Sequence, residues 1–488
     1  KMIKSAYGLK DAPRKWWNRV DTALLKTGVV PTRADRCCYV LYEDDPKAQV
    51  KPFKAPLSQK NIETAAEYLF DPVHGSNAVG KKVIGIICLH VDDLFLTGND
   101  KFHKKVVDAI RAEFEIGSED ADDILFCGQR IHRKGNVVVV DQMKDIEGLS
   151  EIEFNNSLRD DISCDPVLHT EYRSVLGSLN WLQSRTQFHI CFAFSRCASA
   201  SAAPTIKDCR AINKLVRQVR ANPVTMIFHP LKGELRIVGY PDASYRNNED
   251  KSSQAGLTIF LAEARKDSPD SKGSLIEYAS GKIKRTTLST TVSELYAFMK
   301  CFGMCQFIKG LWMDVSAQSA ELHMRTDANN LVTTAKTTHL PEQKETIHMI
   351  TQLRKEATSG AIQDLAHVRT ADMMADCLTK ASANPNALLQ AITTGILPQV
   401  DTHPSFRKLL QHKAYFITWL CSTISRGRDI ISFLGEDLQN EIYYYYQPNA
   451  PRAYLMDLTA LDHRESSRRV SQAGRPESRV GDIPREEK

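Results

Sequence analysis

Between residues 235 and 384 the hydropathy pattern changes period in a single order: strand, strand, strand, helix, strand, helix, strand, helix. The strands are "LRIVGYPDA", "AGLTIFLA", "SLIEYAS", "ELHMRTD" and "GAIQDLAHV". Helical spacing covers roughly 291–313, the region after Asp327 with a further helix around 341–357, and 371–381. Strands and helices alternating in this way predict a block of mixed α and β structure.

Acidic residues stand at the edges of these apolar elements. Asp242 ends the first strand, and Glu294 sits near the start of the amphipathic helix "SELYAFMKCFGMCQFIKGLW". Asp327 ends the fourth strand, and Asp376 lies in the expected final helix, "TADMMADCLTK". Any one of them reads equally as a helix cap or turn acid. Jointly they match what a site for two Mg²⁺ ions needs, with Mn²⁺ the alternative, because such hard cations take carboxylate oxygens. Two such ions activate a water and stabilise the leaving oxygen of a phosphodiester displacement. Without metal, four clustered carboxylates repel and raise each other's pKa values.

Upstream, the chain mixes strands with helix. "RCCYVLY" (36–42) and "NVVVVDQ" (136–142) read as strands, and a polar, Pro-containing connection runs to about residue 80. "VIGIICLHVDDLFLTGND" (83–100) sets two adjacent aspartates, Asp92 and Asp93, between apolar runs, which predicts a hairpin with both acids at its tip. "DKFHKKVVDAIRAEFEI" (100–116) has helical spacing at Phe102, Val106, Ile110 and Phe114. From about 166 to 222 the pattern is helical throughout, and Thr205 reads as the N-cap of the last of these helices. That helix carries Lys207, Arg210, Lys214 and Arg217 along one side. The stripe fits a phosphate backbone, or simply the solvated face of an amphipathic helix. Lys282, Lys284 and Arg285 in "SGKIKRTT" divide the same way, between phosphate contacts and a charged turn. From 385 onward the chain is expected to be irregular or disordered.

Hydrophobic residues at 42% and charged residues at 25% over 488 residues describe globular material enough for two to four domains. A net charge of +5 permits nucleic acid as a partner without demanding it. The 12 cysteines form no Cys-x-x-Cys pairs with a His-x-x-x-His partner, so they read as reduced thiols of an intracellular protein. No apolar run reaches membrane-spanning length, and no secretory signal opens the chain.

"GYPDAS", "SELYAF", "RTDANNL" and "ADCLTK" resemble, in order, the four catalytic segments of a retroelement ribonuclease H, in the form found in Ty1/copia-class LTR retrotransposons. "LSTTVSELYA" stands where that class has Leu-Ser-Ser-Thr-Glu-Ala-Glu-Tyr, with Val292 replacing the first Glu and Glu294 in the catalytic place. "SAYGLKDAPRKWW" (5–17) and "YRSVLGSLNWLQSRTQFHICFAFSR" (172–196) are similar to reverse-transcriptase segments of the same class. "LHVDDLFLTG" resembles the polymerase Tyr-x-Asp-Asp hairpin, with His90 in the tyrosine position.

The resemblance implies a Pol polyprotein piece of α+β and α/β class. Its parts would be a partial reverse-transcriptase palm (1–165), a helical thumb or connection (166–232), a ribonuclease H-like domain with a five-stranded mixed sheet and flanking helices (233–384), and a tail (385–488). Asp242, Glu294, Asp327 and Asp376 would hold two Mg²⁺ and cleave the RNA strand of an RNA–DNA hybrid. Asp92 and Asp93 would be the remnant of a polymerase metal site whose third aspartate precedes Lys1, so polymerase activity is expected to be lost. RNA template, DNA primer and other Pol or Gag products are the implied partners, and the implied location is cytoplasmic and particle-associated, or nuclear. The rival expectation is a catalytically inactive relic, or a copy reused by its host to bind nucleic acid.

Overall fold

The computed structural model describes residues 12–43, 81–264, 271–337 and 346–398. The chain enters through helix α1 (Ala12–Lys26), which buries only Val20 and Leu24. Trp16, Trp17, Val20 and Leu24 recur at helical spacing and pack on one core, although this helix is not among those expected from the sequence. Four antiparallel strands follow in spatial order: β1 (Val30–Pro31), β2 (Cys38–Tyr42), β3 (Val83–His90) and β4 (Asp93–Gly98). The expected connection before residue 80 lies outside the described residues. Helix α2 starts at Asp100–Phe102, where the Asn99 side chain caps the Phe102 N–H. It takes a π turn over His103–Val107 and ends at Asp108–Glu113. Phe102, Val106 and Ile110 are buried against Tyr39, Leu41, Ile87 and Leu89, with Phe114 packed at the rim, as the spacing predicts.

A second sheet is an antiparallel meander of β5 (Asp123–Phe126), β6 (Gln129–Lys134) and β7 (Val137–Asp141). Helices α3 (Met143–Glu147), α4 (Pro166–Gln183), α5 (Cys191–Ser199) and α6 (Ile206–Ala221) come next. Then β8 (Met226–Phe228) returns to pair with β7. Helix α4 begins on a strong signal. Asp165 accepts from the Val167 and Leu168 N–H groups at 2.9 Å, and Pro166 takes the first turn, where its missing N–H costs nothing. At α6 the Asp208 carboxylate accepts from both the Thr205 N–H and hydroxyl, fixing the start where the sequence places it. The helices share a core of Tyr172, Leu179, Leu182, Ile212, Leu215 and Val216.

The third sheet has the order β11-β10-β9-β12-β13. β9 (Leu235–Ser244), β10 (Gln254–Glu263) and β11 (Gly273–Lys282) are antiparallel neighbours. β12 (Glu321–Thr326) lies parallel to β9, and β13 (Asp364–His367) lies parallel to β12. Strands joined by short links pair antiparallel, and those separated by helices pair parallel, as loop lengths require. The five-stranded mixed sheet expected from the sequence is therefore present.

Alternation along β9 serves two cores. Ile237 packs with α7 (Thr290–Ser316), α8 (Asn329–Lys336) and α9 (Ile347–Ser359) on one face. Val238 and Tyr240 pack on the other with Phe188, Cys191, Val224 and Met226 from the preceding helical region.

Two expectations are corrected here. Residues 371–381 form no α-helix but two short 3₁₀ turns, Thr370–Asp372 and Asp376–Leu378. Met373, Met374, Ala375, Cys377 and Leu378 are all buried, and burial on successive positions defeats a one-faced helix. The segment after 385 begins as helix α10 (Asn386–Thr394), which buries Leu388, Ala391 and Ile392 in the second core. The His229 ring meets the Ile392 carbonyl at 2.9 Å, and Ile396 bridges to Lys272 beside β11. Residues 399–488 lie outside the described residues.

Candidate metal centre

Asp242 sits near the end of β9, opposite Gly256 of β10. Its place two residues beyond Tyr240 turns it to the side where the Asp376–Leu378 turn lies, and it is 1% exposed. Glu294 comes from the first turns of α7, whose start is fixed by the Ser289 hydroxyl accepting from the Val292 N–H. Asp327 follows β12 directly. These three offer carboxylate oxygens that all lie within 4.8 Å of one another, the sole such group of three or more metal-capable side chains among the described residues. Asp376 stands beside the triad rather than within it. Sequence reasoning named all four, and the fold gathers three of them closely.

Burial and mutual repulsion dominate the electrostatics of the cluster. Burial first, then Asp242 and Asp327 nearby, push Glu294 up to about 9. Burial also raises Asp242, to about 7, while Lys380 and the Thr379 hydroxyl pull against it. Asp242 Oδ1 and Glu294 Oε2 are buried with no hydrogen-bond partner. Orphaned buried carboxylate oxygens are costly unless something else satisfies them. The donor set is all carboxylate, with no thiol or imidazole, and so fits a hard divalent ion.

Two residues around the triad were not singled out from sequence. The Thr379 hydroxyl donates to Asp242 Oδ2, and the Lys380 ammonium donates to Asp376 Oδ1 and lies 4.0 Å from Asp242 Oδ2. Burial pulls the Lys380 pKa down, but Asp242, Asp376 and Asp327 outweigh it and hold the ammonium charged. Both residues lie inside "ADCLTK", and the resemblance of that segment is the signal that could have marked them. A cleft of about 570 Å³ opens over the group, walled by Tyr245, Asn247 and Thr290 and, from α5, by Phe192 and Arg196.

The other expected site residues are placed as follows. Asp92 and Asp93 are exposed at the tip of the β3–β4 hairpin, whose turn residue Val91 takes φ +55°. A β-branched residue is strained there, and the Trp16 indole N–H holds the turn by donating to the Val91 carbonyl at 2.8 Å. Among the described residues no third metal-capable side chain joins these two. The basic stripe of α6 is largely spent on protein contacts. Arg210 donates to Asp160 and to the Asn156 and Leu158 carbonyls, Arg217 pairs with Glu151, and Lys207 reaches Glu249 at 3.5 Å. Lys214 is exposed. Lys282 pairs with Asp250 at 2.8 Å, whereas Lys284 and Arg285 are exposed on the bend leading to α7.

No family model matches the chain. Among curated proteins it is 23% identical over 398 residues to the "Retrovirus-related Pol polyprotein from transposon RE2" of Arabidopsis thaliana. That match covers 78% of this chain and 24% of the relative. The corresponding polyprotein from transposon RE1 of the same plant is 22% identical over 399 residues, with the same coverage. The chain thus spans about a quarter of the length of the curated relatives it matches.

Among solved structures, the foamy viral protease-reverse transcriptase in complex with RNA/DNA hybrid aligns at 14% identity and TM-score 0.35, over 64% of this chain and 39% of that one. LC11-RNase H1 in complex with RNA/DNA hybrid aligns at 17% identity and TM-score 0.23, over 31% and 99%. By sequence, this chain is similar to the retrovirus-related Pol polyproteins of transposons.

Proposed function

We propose that this chain is a Ty1/copia-type Pol segment whose third sheet carries a ribonuclease H activity, hydrolysing the RNA strand of RNA–DNA hybrids. The observation that carries this reading is the convergence of Asp242, Glu294 and Asp327 from three separate elements, with buried oxygens left unpartnered. Asp242, Glu294 and Asp327 would hold a first Mg²⁺, and Asp376 with Asp242 would hold a second. When bound, such ions supply Lewis-acid activation of water and stabilisation of the leaving oxygen.

The chain's own residues do the remainder. Thr379 fixes the Asp242 carboxylate by its hydroxyl, and the buried start of α7 keeps Glu294 aimed inward. Exposed Lys284 and Arg285, on the approach to α7, are placed to meet backbone phosphates, and recognition of hybrid would run through backbone and 2′-hydroxyl contacts rather than base sequence. Lys207, Arg210 and Arg217 already have acidic partners within the chain, so a phosphate would have to compete with these for them. RNA-directed DNA polymerase activity would need a third ligand beside Asp92 and Asp93, so hydrolysis is the reaction the described residues support. Of the described residues, none belongs to a helix long and apolar enough to cross a membrane.

The test is cleavage of a labelled RNA–DNA hybrid by the purified chain with Mg²⁺, beside Asp327→Asn. Cleavage lost in the variant and with chelator is the expected result. No cleavage from the folded chain would overturn the enzymatic reading and leave hybrid binding as the quantity to measure.

A further inference from the structure

Lys380 occupies a place in the acid cluster that the four-carboxylate reading does not explain. Its ammonium donates to Asp376 Oδ1 and lies 4.0 Å from Asp242 Oδ2, so it sits between the two acids that would share a second ion. Asp242 Oδ1 and Glu294 Oε2, on two members of the triad, are buried with no hydrogen-bond partner. The Asp376 side of the cluster, by contrast, already has a cation from the chain itself, Lys380.

We propose that Lys380 is a built-in counter-ion holding the second metal position, so that the site loads its ions in sequence and Lys380 must swing aside before the second can bind. This rests on the metal-nuclease reading above. A lysine suits the role because its flexible four-carbon stem lets the charge move without moving the backbone. The way out is open, because the side chain is 36% exposed and lines the cleft. Carbonyl and hydroxyl contacts of Thr379 anchor the adjacent backbone: its carbonyl accepts from Ser244 Oγ at 2.8 Å and from Asn247 Nδ2 at 3.2 Å. The swing is thereby confined to the Lys380 side chain. A substrate phosphate in the cleft would give the displaced ammonium a new partner, coupling the second ion to substrate.

The experiment is Mn²⁺ and Mg²⁺ binding to the full chain by calorimetry, with thermal melting in chelator and in saturating Mg²⁺. Lys380→Met is compared with wild type and Lys380→Arg, and Lys380→Gln replaces the Met variant should that one fail to fold. The wild type should bind one ion tightly and a second weakly. Lys380→Met should bind the second at least about tenfold more tightly, since a cation at contact distance no longer opposes it. It should also melt lower than wild type in chelator and equally in saturating Mg²⁺, while Lys380→Arg follows wild type. Unchanged affinity for the second ion in Lys380→Met, or an unchanged melting temperature in chelator, would overturn the inference and leave the metal site standing. Failure of wild type to bind any divalent ion would overturn the metal reading and this inference together.

Discussion

Glu294 sits far above its ordinary pKa in the folded chain, at about 9. Between the ordinary carboxylate value and that one, the folded state holds a proton that the unfolded state has released, so stability falls as pH rises. Asp242 acts in the same sense up to about 7. The metal-free protein should accordingly melt lower at pH 8 than at pH 5.5, with saturating Mg²⁺ narrowing the gap, as read by circular dichroism in chelator and in metal. Glu294→Gln removes the titrating group. It should raise the metal-free melting temperature at pH 8, change it little at pH 5, and abolish hybrid cleavage. An equal shift at both pH values would refute the burial argument.

At this scale the sequence was readable wherever chemistry and burial coincide. An acid flanked by residues that seek the core, such as Asp242 or Glu294, is conspicuous. Thr379 and Lys380 were not, because their roles exist only once the turn bearing Asp376 meets β9. The partners of Arg210 were hidden for a related reason: Asp160, Asn156 and Leu158 come from a loop that hydropathy patterning cannot bring to α6.

Among elements, the Asp376–Leu378 turn depends on a close approach that only glycine permits. A Cβ on Gly256 would lie 2.8 Å from Thr379 Cγ2, 2.9 Å from Leu378 Cβ and 3.1 Å from the Ala375 carbonyl. Because Gly256 also pairs in register with Asp242, Gly256→Ala should push the turn off the strand that carries the site. Unfolding in urea should show a loss of about 1–3 kcal/mol, typical of overpacking, and calorimetry should show weakened metal binding. A stable variant with intact metal binding would mean that the turn tolerates displacement. The central strands β9 and β10 were legible as apolar runs buried at nearly every position, and α7 by the length of its apolar stretch. The turn was not, since buried positions at 373–375, 377 and 378 follow neither period. Nor was the β5–β6 hairpin, whose strands have no fully buried position to mark a core face.

For the molecule as a whole, two kinds of bond tie distant parts of the sequence together. Asp314, near the end of α7, accepts from the Arg33 backbone N–H and guanidinium at 2.7–2.9 Å, and the Tyr42 hydroxyl donates to its carbonyl. Asp314→Ala should cost about 1.5–3 kcal/mol, the range for hydrogen bonds to a charged group. Hydrogen exchange should quicken in residues 30–42 and at the end of α7, and unchanged exchange in either place would deny the tie. The second tie is the core shared by Phe188, Cys191, Val224 and Met226 with Val238, Phe260 and Leu275. A chain begun at residue 233, the boundary the sequence suggested, should melt well below one begun at residue 123, because it exposes that face of the sheet. Equal melting temperatures would show that the boundary was right after all.

That shared core also sets a timetable for synthesis. Its members are spread from Phe188 to Leu397, with Leu388 and Ile392 of α10 arriving almost last. On the ribosome, β9 to β11 emerge long before the helix that completes one of their faces. The sheet must wait, half covered, until residue 397 has cleared the exit tunnel. Asp376 can reach Asp242 only after β13 has emerged, so the carboxylate cluster is completed late in synthesis.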